Sequence, residues 1–359
     1  MPRKTPGRQT PGTLAEDCVI ALDVGGTGMK GALLDRELCL RATLRRATPR
    51  ASGPDAVVGA IASALRELAA QAHADGLTVR QVGVVVPGIV REDDGIAVYS
   101  ANLGWRDLAL TELLAARTGL PVVLGHDVRA GAVAECMLGA ARGAGDALFL
   151  AIGTGVAGAL VSDGRLVHGG GYAGEIGHVR VEPDGARCGC GGRGCLESLA
   201  SATAVAAAYA ARTGRAVEGA AQVAARVAAG DPDAVAVWDR AARGLATALA
   251  TAVTLLAPEV IVLGGGLAEA GDLLLDPVRA YLAEQLTFQR APLLVRADLG
   301  DEAGCMGAGL YAWHRVPDRV PAGFASAESA SPGFASPVPA SAPVSPAAAS
   351  DRLPAGWSR

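Results

Sequence analysis

The sequence predicts an α/β protein built from two related halves, and three observations carry that prediction. Short apolar runs bounded by turn residues alternate with stretches whose apolar residues recur at helical spacing, the signature of strands covered by helices. A strand, a glycine–threonine turn and a second strand at 18–34 recur at 147–162, which suggests a duplicated domain. Asp127 stands where a strand gives way to a helix, on the rim where open α/β sheets bind ligands. The chain has 359 residues, half of them hydrophobic and only 4% aromatic. That length suffices for two domains, with cores made mainly of Ala, Val and Leu.

In order, residues 1–16 are polar and proline-broken and are expected to be disordered. Residues 18–23 then read as a buried strand, and 30–34 as a second one, with Asp23-Val24-Gly25-Gly26-Thr27 as the hairpin between them. Gly25 and Gly26 let backbone amides approach an anion closely, Thr27 adds a hydroxyl, and Asp23 can hold the waters of a magnesium ion. An ordinary glycine-rich turn has the same composition. Residues 53–76 place Val57, Ile61, Leu65 and Leu68 at helical spacing. A strand at 82–86 ends in Pro87-Gly88, and a polar turn leads to Asn102, either a hydroxyl binder or a turn-forming residue. A helix at 110–118 and a strand at 122–124 deliver His126 and Asp127 to a helix over 128–138. Asp127 can face a ligand there, or it can cap the helix.

The second half opens with a strand at 147–152, the turn Gly153-Thr154-Gly155, and a strand at 156–162. Residues 199–250 are alanine-rich and helical, and 246–256 are strongly apolar. A buried strand at 260–263 ends in Gly264-Gly265-Gly266, a turn suited to close approach of a nucleoside or its phosphates. A helix over 278–286, a strand over 293–295 and a closing helix over 301–313 follow. From residue 317 the chain is rich in Ala, Ser and Pro and is expected to be disordered.

Between these elements runs the most specific stretch of the chain. His178, Cys188, Cys190 and Cys195 are spaced H-x9-C-x-C-x4-C, with glycines at 189, 191, 192 and 194. One imidazole and three thiolates complete a tetrahedral set for a structural zinc ion. Glu175 and Glu197 flank the loop and, as ionised acceptors, suit neighbouring hydroxyl donors of a polyol. Free thiols or a redox pair are the competing readings of three clustered cysteines.

Composition excludes several classes. Net charge is −4 with no basic block, so no nucleic-acid partner is expected. There is no secretory leader at the N-terminus and no eighteen-residue stretch free of charge and proline, so no membrane partner is expected. Seven cysteines without a disulfide framework fit a reducing cytoplasm.

Taken together, Asp23-Val24-Gly25-Gly26-Thr27, Val86-Pro87-Gly88, Asn102-Leu103-Gly104-Trp105, Asp127, Gly153-Thr154-Gly155, Gly174-Glu175-Ile176-Gly177-His178, and Cys188-Gly189-Cys190 through Cys195-Leu196-Glu197 resemble the ROK family of repressors, open reading frames and kinases. The resemblance covers roughly residues 18–314. It implies two actin-like (ribonuclease H-like) domains with a cleft between them, at 17–126 and 127–300, the second carrying the zinc loop 178–195 and the first packed by the returning helix 301–314. It implies ATP-dependent phosphorylation of a hexose, commonly glucose, with Mg²⁺ accompanying the ATP and Zn²⁺ structural, in a homodimer or homotetramer. Residue by residue, it implies that Asp127 is the general base. Gly88, Asn102, Asp127, Glu175, His178 and Glu197 are the implied sugar contacts. Asp23, Gly25, Gly26, Thr27, Lys30, Gly153, Thr154, Gly155 and Gly264, Gly265 and Gly266 are the implied nucleotide cradle. His178, Cys188, Cys190 and Cys195 are the implied zinc ligands. The chain departs from the family at His126-Asp127-Val128-Arg129, where asparagines are usual on both sides of the aspartate; an imidazole replaces one amide near the sugar. Other acceptors, among them N-acetylmannosamine, N-acetylglucosamine and fructose, stay open, as does polyphosphate as donor. So does a non-catalytic sugar sensor. A sugar-sensing repressor is not expected, because about seventeen residues before the first strand leave no room for a helix-turn-helix domain.

Overall fold

A computed structural model describes residues 16–316; the segments 1–15 and 317–359, both expected to be disordered, lie outside the described residues. Glu16, placed with the disordered segment by sequence, instead begins the first strand. Strands β1 (Glu16–Val24), β2 (Gly28–Leu34) and β3 (Leu40–Ala47) form an antiparallel meander. Helix α1 (Pro54–Ala74) then crosses to β4 (Leu77–Val86), parallel to β1. Three short strands, β5 (Ile89–Arg91), β6 (Ile96–Ser100) and β7 (Trp105–Leu108), make a separate small sheet. Helix α2 (Leu110–Thr118) leads to β8 (Val122–His126), parallel to β4, and the first sheet is complete in the order β3-β2-β1-β4-β8.

Helix α3 (Asp127–Leu138) carries the chain to β9 (Ala147–Ile152), β10 (Val156–Ser162) and β11 (Arg165–Leu166), a second antiparallel meander. Four helices follow: α4 (Glu197–Ala200), α5 (Ala202–Thr213), α6 (Ala220–Ala228) and α7 (Pro232–Leu256). Strand β12 (Val260–Gly264), helix α8 (Asp272–Gln285), strand β13 (Leu293–Arg296) and helix α9 (Ala303–His314) end the described chain. The second sheet has the order β11-β10-β9-β12-β13, with β12 parallel to both β9 and β13. Strand for strand it repeats the order and sense of the first, which is the duplication expected from the two glycine turns.

The layers follow from burial. Residues 18–22 of β1 are completely buried, as a central strand covered on both faces must be. On one face, Val57, Ile61, Leu65 and Leu68 of α1 join the core of the first sheet; each such side chain contributes roughly 1.5–3 kcal/mol by leaving water. On the other face lies α9, through Cys305, Ala308 and Ala312. The second sheet is covered by α5–α8 on one side and by Ala132 of α3 on the other. Helices α3 and α9 therefore lie back to back between the sheets. Their backbones touch: a Cβ on Gly307 would meet the Ala130 carbonyl oxygen at 2.1 Å.

Several elements differ from expectation. β3 is an edge strand whose sequence, Leu-Arg-Ala-Thr-Leu-Arg-Arg-Ala, buries one residue, so its apolar signal is faint. The small β5–β7 sheet occupies what the sequence suggested was a polar turn. The 199–250 stretch, expected to be helical, is divided into four helices. Helix α8 starts at Asp272, before the expected residue 278, and runs through Pro277. Proline cannot donate to the carbonyl four residues back. That carbonyl, on Leu273, accepts from the Trp238 indole instead at 3.0 Å, so the helix continues without an orphaned acceptor. Helix α7 is capped by Asp231, whose side chain accepts from the amides of Asp233 and Ala234, with Pro232 at the first position.

Candidate active site and metal centre

The parallel register of the first sheet places Asp23 beside Val85, and Val85 beside Gly125. The chain therefore leaves β1, β4 and β8 at one rim, carrying the Asp23–Thr27 turn, Pro87-Gly88 and Asp127. The turn is tied closed: the Gly25 amide donates to the Gly28 carbonyl at 2.8 Å, and the Thr48 hydroxyl donates to the Gly25 carbonyl at 2.7 Å. Thr27 remains exposed. Asn102, in the β6–β7 connection, stands against the turn, 3.5 Å from where a Cβ on Gly26 would be. Gly88 packs directly on the Tyr99 carbonyl of β6, which draws that connection to the rim. Lys30 lies beside Asp23 in the β1–β2 pairing, and its ammonium binds the Asp301 side chain and, at 2.8 Å, the Asp301 carbonyl.

Burial pushes the Asp23 carboxyl up to about 7, and the neighbouring Asp127 carboxylate adds to the effect. Two carboxylates sharing a rim in this way resist being charged together. A divalent cation relieves that repulsion, so the pair fits Mg²⁺.

Asp127 is the first residue of α3, with a quarter of its side chain exposed. Its Oδ1 accepts the Val128 amide at 2.7 Å. The cap is His126, whose Nδ1 accepts the Arg129 amide at 3.3 Å. Burial draws the His126 ring below its ordinary value, against the pull of Asp127, so the ring is neutral with its proton on Nε2. The imidazole that replaces an amide thus terminates the helix and leaves the aspartate free to face outward.

At the second sheet, Gly264 of β12 lies beside Ala151 of β9. The turns Gly153–Gly155 and Gly264–Gly266 therefore share one rim, and the Leu267 amide donates to the Ile152 carbonyl at 3.0 Å. Thr154, Gly265 and Gly266 are exposed. Next to Gly266 and Leu267 opens a cavity of about 170 Å³ walled by Trp238, Ala220 and Ala224. Glu197 is placed between this rim and the cysteine loop. Its Oε2 accepts the Val156 amide at 3.0 Å, and its Oε1 is 3.9 Å from the Cys188 sulfur.

His178, Cys188, Cys190 and Cys195 converge, with ligand atoms all within 4.8 Å of one another. The Cys190 and Cys195 sulfurs are 3.7 Å apart, as are the Cys188 sulfur and His178 Nδ1. Tetrahedral bonds of roughly 2.3 Å to sulfur and 2.0 Å to nitrogen give edges of about 3.5–3.8 Å. The donor set therefore has the dimensions to hold a metal ion such as zinc. Burial and the adjoining thiols push Cys195 up to about 12, and a cation within the set would favour its thiolate. His178 Nε2 points the other way, 3.8 Å from Glu175.

The ROK family model matches residues 19–315. The chain belongs to the ROK family. A glucokinase of Halalkalibacterium halodurans is 35% identical over 315 residues, covering 81% of this chain and 93% of that protein. An N-acetylmannosamine kinase of Citrobacter koseri is 35% identical over 297 residues, covering 82% and 98%. The solved structure of a ROK family glucokinase from Streptomyces griseus, in complex with glucose and AMPPNP, superposes with a TM-score of 0.70 at 32% identity, covering 82% of this chain and 99% of that one. The duplicated sheets of this ROK protein are the two halves of the actin-like, ribonuclease H-like fold.

Three residues of the ROK site were not anticipated. Gly304, the second residue of α9, lies against the Asp23 carboxylate. Glu92 and Arg129 form a buried ion pair at 2.8 Å behind Asp127. Only Arg129 carried a signal, as a departure from the family's asparagine; Gly304 and Glu92 lie outside every motif.

Proposed function

We propose that this ROK protein transfers the γ-phosphoryl group of ATP to a hexose, glucose foremost, to give glucose 6-phosphate. The observation that carries the reading is the meeting of Asp127 and Asp23 at one rim beside the Asp23–Thr27 turn. Phosphoryl transfer needs a positioned acceptor, neutralised phosphate charge and a proton acceptor. Asp127 takes the proton of the sugar O6 as that oxygen bonds to the γ-phosphorus; the bond from phosphorus to the β–γ bridging oxygen breaks, and ADP departs. Asn102, Glu175, the free nitrogen of His178 and Glu197 orient the sugar hydroxyls, and charged acceptors do so strongly. The two glycine turns offer backbone amides to the phosphates. The base is assigned to the cavity beside Trp238 and Leu267, next to the second glycine turn. Asp23 would hold a magnesium ion, which would supply neutralisation of phosphate charge. His178, Cys188, Cys190 and Cys195 would hold a structural zinc ion, and His178, so held, would keep its wall of the sugar site in place.

The lobes meet at Asp127, with 301–314 returning to the first lobe. The protein is assigned to the reducing cytoplasm as a homodimer or homotetramer, to be checked by analytical ultracentrifugation. A second acceptor, N-acetylmannosamine, is favoured by an identity equal to that of the glucokinase relative. A coupled assay of hexoses and amino sugars, with ATP or polyphosphate and magnesium, decides among these. Asp127→Asn should lower turnover by about 10²–10⁴-fold while leaving sugar binding nearly intact. Wild-type turnover in that variant would remove Asp127 from the role of base.

A further inference from the structure

Arg129 is among the largest fully buried side chains of the protein, with 2% of its surface exposed. A buried guanidinium is retained only when its charge and its forked donors are matched, and here they are matched across the site. Nε donates to Glu92 Oε1 at 2.8 Å, Nη2 to the Val90 carbonyl of β5 at 3.1 Å, and Nη1 to the Gly171 carbonyl at 3.3 Å. The same Glu92 oxygen accepts the His126 amide at 3.2 Å, and its other oxygen is 3.6 Å from His168 Nδ1. One side chain on the first turn of α3 thus holds two segments together. One is the β5 strand that follows Gly88. The other is the glycine loop 169–174 that runs straight into Glu175 and His178. The two segments are in backbone contact: Gly171 has φ +94°, and a Cβ there would lie 2.7 Å from the Val90 carbonyl oxygen. At its far end the loop is tied to the second sheet, the Gly158 amide donating to the Gly174 carbonyl at 2.8 Å.

We infer that Arg129 is a positioning residue that sets the sugar-contact wall at a fixed distance from Asp127. This rests on the sugar-kinase reading for the identity of the ligand, and on the hydrogen bonds alone for the strut itself. Arg129 touches neither nucleotide turn, so its loss acts on the sugar and spares ATP. Lysine at this position can neutralise Glu92 but cannot span both carbonyls with a planar fork.

The test uses Arg129→Lys and Gly171→Ala in the full chain, beside wild type. Gly171→Ala pushes the same loop off β5 without altering Arg129. In both variants amide hydrogen exchange over 169–177 should rise at least tenfold while β9 and β10 stay protected. With the hexose that the wild type turns over best, the sugar KM should rise about tenfold or more, with the ATP KM within twofold. Unchanged exchange over 169–177 in both variants overturns the strut, and so does an equal rise in the KM values of sugar and ATP. A wild type that turns over no hexose would defeat the kinase reading, while the exchange measurement would still decide whether the strut exists.

Discussion

Replacing Gly304 with alanine separates function from stability at the site. A Cβ at Gly304 would lie 2.6 Å from Asp23 Oδ2 and 2.9 Å from its Cγ. Ordinary contacts of a Cβ begin near 3.4 Å, and none falls under 3.0 Å, so the carboxylate must retreat by about 0.4–0.8 Å. It can do so by rotating about its own side-chain bonds, which strains little. The helix itself gains, because alanine is favoured over glycine in a helix by about 1 kcal/mol. The melting temperature should therefore hold or rise by up to ~3 °C. Misplacing a reacting or metal-holding group by a distance of this order costs about 10–100-fold in rate. The assay is ADP release with glucose, titrated with magnesium, alongside a thermal melt. The expected result is a lower kcat and a higher magnesium requirement in a protein at least as stable as wild type. If kcat and the magnesium titration both stay within threefold of wild type, Asp23 is not placed for the role given to it.

Three other outcomes follow from particular contacts. Without divalent metal, the folded chain keeps a proton on Asp23 up to about pH 7, whereas the unfolded chain releases it near 3.8, the ordinary value for an aspartate. Stability from this group is thus lost as pH rises through that window; thermal melts between pH 4.5 and 7.5 should show the slope, and Asp23→Asn should flatten it, an unaltered slope ruling the assignment out. If the cysteine loop holds zinc, removing it with a chelator, or Cys188→Ser, should raise the sugar KM with little change in the ATP KM; a zinc-depleted protein, verified by elemental analysis, that binds glucose normally would refute the role of the metal loop in fixing His178. Trp238→Phe leaves the Leu273 carbonyl without its indole donor and should cost about 1–3 kcal/mol, read as a lower urea midpoint with unchanged slope.

The division of labour around Asp127 explains why the departure from the family pattern is compatible with the same chemistry. An aspartate at the start of a helix is easily consumed as its cap. Here the ring of His126 accepts the Arg129 amide, and Arg129 is drawn inward to Glu92. The Asp127 side chain keeps a quarter of its surface open. The two residues that replace amides thus form a scaffold around the aspartate.

What could be read from the chain depended on how local its cause was. The strand–turn–strand units, the cysteine loop and α1 announce themselves because their geometry is set by residues within a few positions of one another: a glycine pair for a tight turn, ligand spacing for a metal, apolar residues every three or four for a buried face. The β3 strand gives little local signal because its exposed edge carries arginines, and the start of α8 is hidden because Pro277 argues against a helix unless a distant tryptophan serves the freed carbonyl. Helix α9 is the clearest case. Its sequence, Ala-Gly-Cys-Met-Gly-Ala-Gly-Leu-Tyr-Ala-Trp-His, spends three glycines where propensity disfavours them. One of them accommodates Asp23, nearly three hundred residues earlier, and another accommodates the backbone of α3. No local pattern encodes those contacts, because the constraint is the width of the gap between two sheets. A glycine-rich helix that stays buried therefore marks a crossing against backbone, and in this protein the crossing lies directly behind the two carboxylates of the site.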